Sequence, residues 1–347
     1  TALDLSGNEL TELPKEFWNL TKIGVLYLND NSLTSLPPEI GTFTNLTLLD
    51  VSKNEINTIP HEIGNLTELR SFDVSKNNLA ELPPEICNLT KLTTLNLGYN
   101  DLATLPNDIG NLKNLTRFYI WNNNLNQLPV GVGNFTKLKE LYASNNNLTS
   151  VPKEIGNMTQ MEYIYFDNNE LTEIPLEINN LLNLQAVDIH GNQNINLKQV
   201  FKVISENPKK IKISNQIFTS TEEGMIKFII PDVSIIPDEI WGINNLSILE
   251  INDSEISVIP PEIGNLKSLE VLNLQNNKIT ELPKEIGNCT NLKAIYLWKN
   301  KLTVISPEIG NLSNLEILSL GSNKIPNLPS EIGKLTNLIG RHCHLWM

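Results

Sequence analysis

An asparagine returns every 23 residues along most of this 347-residue chain, and this spacing constrains the fold more than any other feature. Each asparagine closes the same apolar pattern, L-x-x-L-x-L-x-x-N-x-L-x-x-L-P, as in the segment that begins at Leu92. A fixed period of about 20–29 residues with this leucine spacing is typical of a solenoid in which each repeat forms one coil. The column, in which one serine takes the place of an asparagine, consists of Asn8, Asn31, Asn54, Asn77, Asn100, Asn123, Asn146, Asn169, Asn192, Ser254, Asn277, Asn300 and Asn323.

One repeat shows where the strand and its buried face lie. Leu95 and Leu97 alternate with small or polar residues, which predicts a short strand with one buried face. Asn100 follows at the point where the chain must turn inside a packed column. A buried amide there can bond backbone groups of its own coil and the next, so the asparagines are predicted to form a structural ladder. Ser254 offers only a hydroxyl, and we expect a weaker turn there.

The second half of each repeat, L-P-x-E-I-G-N-L, predicts a short helical return on the opposite face. Pro106 fixes φ and suits the first position of such a helix. The acidic residue that follows in most copies is favoured near a helix N-terminus, and the glycine after the isoleucine is expected to end the turn. The predicted fold class is therefore an α/β solenoid, a right-handed curved array with a concave parallel β-sheet and short helical or irregular convex returns.

The period fails between Asn192 and Ser254, whose separation is not a multiple of 23. We interpret the chain as one repeat domain with an insert, which reflects either evolutionary drift or a kink that shapes the binding surface. The expected division of residues 1–347 is regular repeats over 1–192, an irregular insert over 193–230, regular repeats over 231–338 and a degraded terminal coil over 339–347.

The residues between the strand leucines are predicted to lie on the concave face, where successive coils stack them into columns about 5 Å apart. Aromatic residues on such a face are typical of binding hot spots. The alternative is cross-strand stacking that only stabilises the sheet. We favour partner binding, because a monomer gains little from solvated tryptophans. The predicted partner-binding residues are Tyr119, Trp121, Tyr142, Tyr163, Tyr165, Tyr296 and Trp298, and the acidic residues of this face are Asp50, Asp73, Asp188 and Glu250.

Composition and motifs exclude several classes of function. The net charge of −13 disfavours binding to nucleic acid, and the absence of any run of about 18 apolar residues predicts that nothing spans a membrane. No phosphate-binding loop, nucleophile elbow, zinc-protease or kinase motif occurs, so we expect neither an enzyme nor a cofactor. The pair His342 and His344 lacks further ligands nearby in sequence, and we predict no metal site. The three cysteines are scattered and form no paired caps, which favours a reducing, cytoplasmic location.

The repeats resemble the 23-residue class of leucine-rich repeats found in intracellular Ras-group and Ras-scaffold proteins, in ROCO-type GTPases and in many bacterial proteins. The similarity is carried by segments such as IPPEIGNLKSLEVLNLQNNKITELPKEIGN at 259–288, and it covers nearly the whole chain apart from 193–231 and the tail after Leu338.

This resemblance implies a scaffold or recognition module, typical of signal transduction, that binds a protein on its concave face. We expect a protein partner, with a small GTPase or a basic surface as the candidates. The alternative is a secreted or cell-surface microbial protein, similar to an adhesin. Only Thr1 and Ala2 precede the core residue Leu3, so we also expect further repeats upstream or end-to-end self-association.

Overall fold

The computed structural model describes residues 1–189, 191–196 and 246–338, together with the short pieces 199–200, 203, 211–212, 226–229, 236 and 238–243. The chain divides into two compact units, Thr1–Asn196 and Leu197–Met347. Each unit is described by itself below. Most of the predicted insert at 193–230, and the terminal coil at 339–347 with His342 and His344, lie outside the described residues, so the single-domain interpretation stays a prediction.

In the first unit each coil contributes one strand of three residues. Neighbouring strands are parallel, and equivalent residues of successive coils pair directly, as Leu95 does with Phe118. The pairing order follows the chain, so the sheet grows by one strand per repeat. The strands are β1 (Ala2–Asp4), β2 (Val25–Tyr27), β3 (Leu48–Asp50), β4 (Ser71–Asp73), β5 (Thr94–Asn96), β6 (Arg117–Tyr119), β7 (Glu140–Tyr142), β8 (Tyr163–Tyr165) and β9 (Ala186–Asp188).

The second unit repeats the same architecture. The predicted helix after Leu197 is described at Gln199, Val200 and Val203, which are helical and lie in the segment that the sequence assigned to the irregular insert. The five strands β11 to β15 pair in parallel and in chain order. The strands are β10 (Ile211–Lys212), β11 (Ile226–Ile229), β12 (Leu246–Glu250), β13 (Val271–Asn273), β14 (Ala294–Tyr296) and β15 (Ile317–Ser319).

The return segments are 3-10 helices of five residues. A proline stands just before most of them, so Pro106 is the N-cap of its helix and not its first residue, as the sequence had suggested. An acidic residue in the first turn is regular, as predicted. The helices are η1 (Lys15–Asn19), η2 (Pro38–Thr42), η3 (His61–Asn65), η4 (Pro84–Asn88), η5 (Asn107–Asn111), η6 (Val130–Asn134), η7 (Lys153–Asn157), η8 (Leu176–Asn180), η9 (Asp238–Gly242), η10 (Pro261–Asn265), η11 (Lys284–Asn288), η12 (Pro307–Asn311) and η13 (Ser330–Lys334).

The glycine of these helices has a different role from the one its sequence position suggested. Gly41 and its equivalents do not have a positive φ, so they are not left-handed terminators. A Cβ on Gly41 would instead lie 2.8 Å from Glu62 Cβ of the next coil. The glycine is needed because successive 3-10 helices pack with backbone against backbone.

The core lies between the sheet and the 3-10 helices. The middle residue of the strands β2 to β9, for example Leu95 or Phe118, is buried, and so are most isoleucines of the helices, such as Ile109. The other strand residues point away from this core. We call the surface that they form the strand face. It carries Tyr119, Tyr142, Tyr163, Tyr165 and Tyr296 of the predicted partner-binding residues, while Trp121 and Trp298 lie in the turns that follow β6 and β14.

Candidate functional site

The ladder asparagines form hydrogen bonds to backbone groups next to the strand face. Asn123 Nδ2 donates to the carbonyl oxygen of Ile120 in its own coil at 3.2 Å and to that of Leu97 in the preceding coil at 3.0 Å. Asn123 Oδ1 accepts from the Leu102 N–H at 3.0 Å. The side chain thus joins its own coil to the preceding one, where the sequence had suggested the next. The same three contacts recur at Asn31, Asn54, Asn77, Asn100, Asn146, Asn169, Asn192, Asn277, Asn300 and Asn323.

The acidic residues of the strand face close the turn at the end of their strands. Asp73 accepts from the Ser75 N–H at 2.9 Å, from Ser75 Oγ at 2.7 Å and from Asn96 Nδ2 at 2.9 Å. Asp50 accepts from the Ser52 N–H at 2.9 Å, and burial raises its pKa, with a further contribution from the charge of Asp73. These bonds give Asp50 and Asp73 a structural role that does not require a partner.

The two remaining acidic candidates lie in different units. Asp188 ends β9 and is 4% exposed, so it offers little surface to a partner. Glu250 ends β12 and pairs in register with Asn273 on the neighbouring strand.

Three tyrosines on successive strands form a stack, which we call the tyrosine stack: Tyr119, Tyr142 and Tyr165. The ring centroids of Tyr119 and Tyr142 are 5.0 Å apart, and those of Tyr142 and Tyr165 are 4.5 Å apart with an interplanar angle of 16°. All three side chains are half-buried. Both sequence interpretations, cross-strand stacking and an exposed aromatic surface, therefore apply to the same residues.

Hydroxyl groups and carboxylates surround the stack. Burial, followed by the charges of Tyr165 and Glu140, raises the pKa of Tyr142 to about 12. Burial and Glu140 also raise the pKa of Tyr119, whose hydroxyl donates to Glu140 Oε2 at 3.5 Å. The phenols of both residues are therefore neutral at physiological pH. Tyr163 is the first residue of β8, and its hydroxyl donates to Gln185 Oε1 at 2.5 Å.

Trp121 belongs to a separate aromatic pair. Its ring stands edge-on to Tyr99, with centroids 4.7 Å apart and an interplanar angle of 66°. Lys76 Nζ lies 5.4 Å from the centroid of Tyr99, which is 43% exposed. Sequence reasoning missed Tyr99, which precedes the ladder asparagine at a position where φ is positive in every regular coil. A bulky residue in this left-handed position was the signal that could have identified it.

The charges beside the tyrosine stack leave an acidic excess. Arg117 pairs with Glu140 of β7 at 3.5 Å, and Lys139 pairs with Glu162, just before β8, at 2.8 Å. The turns after β5 and β8 add the acidic residues Asp101, Asp167 and Glu170, and Lys76 lies over Tyr99 in the first of these turns.

In the second unit the aromatic residues Tyr296 and Trp298 follow one another on β14 and the turn after it. Trp298 is 38% exposed. Lys299 Nζ lies 4.3 Å from the ring centroid of Trp298, so a cation of this chain already occupies one face of the indole. The indole also lies close to the backbone of Gly321 on the next coil.

The described residues hold no group of three or more His, Cys, Asp or Glu side chains that could bind a metal ion. Burial raises the pKa of Cys87 and of Cys289 to about 11, so both thiols stay protonated and unreactive. Within the part of the chain that the structure describes, no helix is long and apolar enough to cross a membrane.

Comparison with known families identifies the class of protein. The sequence matches "Leucine-rich repeat region" over residues 92–193 and 234–338, and other leucine-rich repeat families over 22–79 and 1–20. The chain therefore belongs to the leucine-rich repeat family, and the predicted fold class is confirmed. Proteins of this family are generally recognition modules that bind other proteins and carry no catalytic activity.

Solved structures give more particular relatives. A leucine-rich repeat protein of Leptospira interrogans is 34% identical, with a TM-score of 0.65, and the alignment covers 97% of this chain and 82% of that one. An internalin of Listeria monocytogenes is 22% identical, with 98% and 85% covered and a TM-score of 0.54.

The receptor kinase HAESA of Arabidopsis, in complex with the peptide hormone IDA and a co-receptor, is 22% identical, with 97% and 73% covered and a TM-score of 0.52. The internalin and HAESA are similar to this chain in fold alone. A comparison with curated proteins finds no match.

Proposed function

We propose that this chain is a protein-recognition module that binds its partner through the tyrosine stack on the strand face of the first unit. The stack itself is the observation that carries the proposal, because three aromatic side chains on successive strands remain half-exposed outside the core. Tyrosine gives large contact area with only two rotatable side-chain angles, which is why it is enriched in binding surfaces.

The charge beside the stack supports a basic partner surface. Arg117 and Lys139 are already paired with glutamates, and the turns after β5 and β8 carry three acidic residues, Asp101, Asp167 and Glu170, against one lysine, Lys76, which lies over Tyr99. An arginine of the partner could stack on a tyrosine and bind a carboxylate at once. Among basic partners, a small GTPase is the class suggested by the resemblance to Ras-group repeats.

A reducing, cytoplasmic location is part of the proposal. It is supported by Cys87 and Cys289, both of which are buried free thiols. The alternative, a secreted or cell-surface recognition protein, would use the same surface in another compartment. A signal peptide encoded ahead of Thr1 in the parent gene would favour that alternative.

A peptide-display library panned on the full chain tests the proposed site. We expect the selected peptides to be rich in arginine and lysine. The double variant Tyr119→Ala/Tyr142→Ala should bind them more than about tenfold more weakly, because it removes two hot-spot side chains. The matched control is Tyr27→Ala, which removes a tyrosine from the same position of β2, outside the stack.

Two results would contradict the proposal. Peptides that bind the double variant as well as the parent would show that the stack does not contact the partner. A double variant that keeps its affinity but melts at a much lower temperature would assign the tyrosines to sheet stability alone.

A further inference from the structure

Three lysines occupy the same repeat position on successive coils of the second unit. Lys278, Lys301 and Lys324 are exposed and each directly follows a ladder asparagine. In the chain as a whole the net charge is −13, so three cations at one repeat position depart from the average composition. The equivalent residues of the first unit include no lysine or arginine; they are Glu9, Ser32, Glu55, Asn78, Asp101, Asn124, Asn147, Glu170 and Gln193.

Hydrogen bonds to the preceding coil hold the backbone of these lysines in place. The N–H groups of Lys278, Lys301 and Lys324 donate to carbonyl oxygens of the preceding coil at 2.8, 2.9 and 2.9 Å. Successive coils of such a sheet are about 4.8 Å apart. Like charges held at neighbouring positions destabilise a fold, so the column works against stability unless an anion binds to it.

The positive charge is only partly neutralised within the chain. Lys278 pairs with Glu255. Among the described residues, Lys301 and Lys324 make no ion pair, and Lys299 lies over Trp298. Hydrogen bonds from Asn276, at 2.7 Å, and from Asn252 lower the pKa of Asp253, and the charge of Lys299 lowers it further. We call Lys299, Lys301 and Lys324 the lysine edge, and we leave out Lys278 because it is paired with Glu255.

Exposed apolar side chains accompany these cations. A Cβ on Gly321 would lie 2.9 Å from Trp298 Cδ1, so the indole extends over the next coil. Val304, three residues after Lys301, is 49% exposed. Leu328, four residues after Lys324, is 55% exposed. These coils therefore carry exposed apolar side chains as well as the lysines, and Glu281 pairs with Val304 on the neighbouring coil.

We propose that the lysine edge, with Trp298 and Val304, is a second docking surface that binds an acidic polypeptide segment. Exposed tryptophan and aliphatic side chains fit the apolar residues of a polypeptide, whereas a polysaccharide sulfate or a nucleic-acid phosphate would need only the cations. The charge preference is opposite to that of the tyrosine stack. The two surfaces therefore select different segments, and this inference does not depend on the proposed function of the first.

Fluorescence anisotropy of the full chain with a labelled peptide tests the site. The probe is a peptide of about twelve residues that alternates glutamate with leucine. We expect Lys301→Gln/Lys324→Gln, and separately Trp298→Ala, to weaken binding about tenfold. The matched control, Lys284→Gln/Lys334→Gln, removes the same charge from exposed positions of η11 and η13 and should change affinity less than about twofold. Tyr119→Ala/Tyr142→Ala should also bind the probe normally.

Reversing the charge of the two lysines tests their role while Trp298 stays unchanged. Lys301→Glu/Lys324→Glu should lose the glutamate probe, and in the Tyr119→Ala/Tyr142→Ala background it should bind the lysine–leucine counterpart more tightly than that background alone. Equal losses in the lysine-edge variant and its matched control would overturn the proposal, since only net charge would then matter. A heparin oligosaccharide that binds the chain more tightly than the peptide, and equally well after Trp298→Ala, would overturn the assignment to a polypeptide.

Discussion

The indole of Trp121 lies directly against the backbone of Gly98 on the preceding coil: a Cβ on Gly98 would be 2.5 Å from Trp121 Nε1. Gly98 does not have a positive φ, so its backbone conformation suits any residue. The glycine is required because the ring occupies the space of a side chain. This close approach places Trp121 edge-on to Tyr99 and creates their aromatic pair.

Replacing Gly98 by alanine should displace the indole and destabilise the protein by about 1–3 kcal/mol, the usual cost of overpacking. Urea unfolding measures this loss, and near-ultraviolet circular dichroism reports the movement of the ring. The same substitution in a Trp121→Ala background should cost little, because the clash is gone. Equal losses in the two backgrounds would show that Gly98 matters for another reason.

Replacing Asn123 by leucine should be among the most destabilising changes on this chain. It leaves the Leu102 N–H without its acceptor, while the Leu97 carbonyl keeps the bond from Asn100 Nδ2 at 3.0 Å. Each buried group left unsatisfied costs about 1–3 kcal/mol. The control is Asn124→Leu, an exposed neighbour whose amide makes one long bond to Asp101 at 3.4 Å. Denaturation midpoints that fall equally for the two variants would contradict the role of the ladder.

The helix glycines allow a test with an internal control. A Cβ on Gly156 would be 2.5 Å from the Glu177 carbonyl oxygen of the next coil, whereas one on Gly333 would meet nothing within 4 Å. We expect Gly156→Ala to lower the free energy of unfolding by about 1–3 kcal/mol and Gly333→Ala to leave it nearly unchanged. If glycine acted as a left-handed terminator at this position, as the sequence suggested, both variants would lose stability.

The repeat period was sufficient to predict the strands, the ladder and the acidic first turn of most returns. All three follow from local pattern: Leu95 and Leu97 alternate around one exposed residue, and Asn100 has the same neighbours as every other ladder asparagine. The stacking of Tyr119 on Tyr142 also follows, because identical positions of parallel strands pair in register.

The contacts that could not be predicted are those between side chains of neighbouring coils. They depend on which neighbouring coil a side chain turns towards, and the repeat period carries no information about that direction. Trp121 leans back over Gly98 and pairs with Tyr99, while Trp298 lies against Gly321 of the following coil, although both tryptophans occupy the same repeat position. The partner coil of the ladder asparagine could not be read from spacing either, since either neighbour offers the same carbonyl groups.

Asp50 and Asp73 pair in register on β3 and β4, so their carboxylates repel each other. Replacing one carboxylate by an amide should relieve this repulsion. Asn96 shows how: its Oδ1 accepts from the Gly98 N–H at 3.1 Å, and its Nδ2 donates to Asp73 at 2.9 Å. Asp50→Asn should likewise accept from the Ser52 N–H and direct an N–H group at Asp73. We expect a gain of about 0.5–1.5 kcal/mol in the free energy of unfolding at pH 7, the worth of one net hydrogen bond.

The pH dependence of that gain provides the control. Burial raises the pKa of Asp50 above 3.8 in the folded protein, so on acidification the native state takes up this proton before the unfolded state does. The cost of the buried charge is thus present at neutral pH and is lost as pH falls through the raised pKa. The advantage of Asp50→Asn should therefore be largest near pH 7 and shrink in acid, as urea unfolding at several pH values would measure. Asp73→Asn should be destabilising, because its new amide would face the Asn96 donor. A loss of stability in Asp50→Asn at pH 7 would show that the Asp50 carboxylate is bound favourably as it stands.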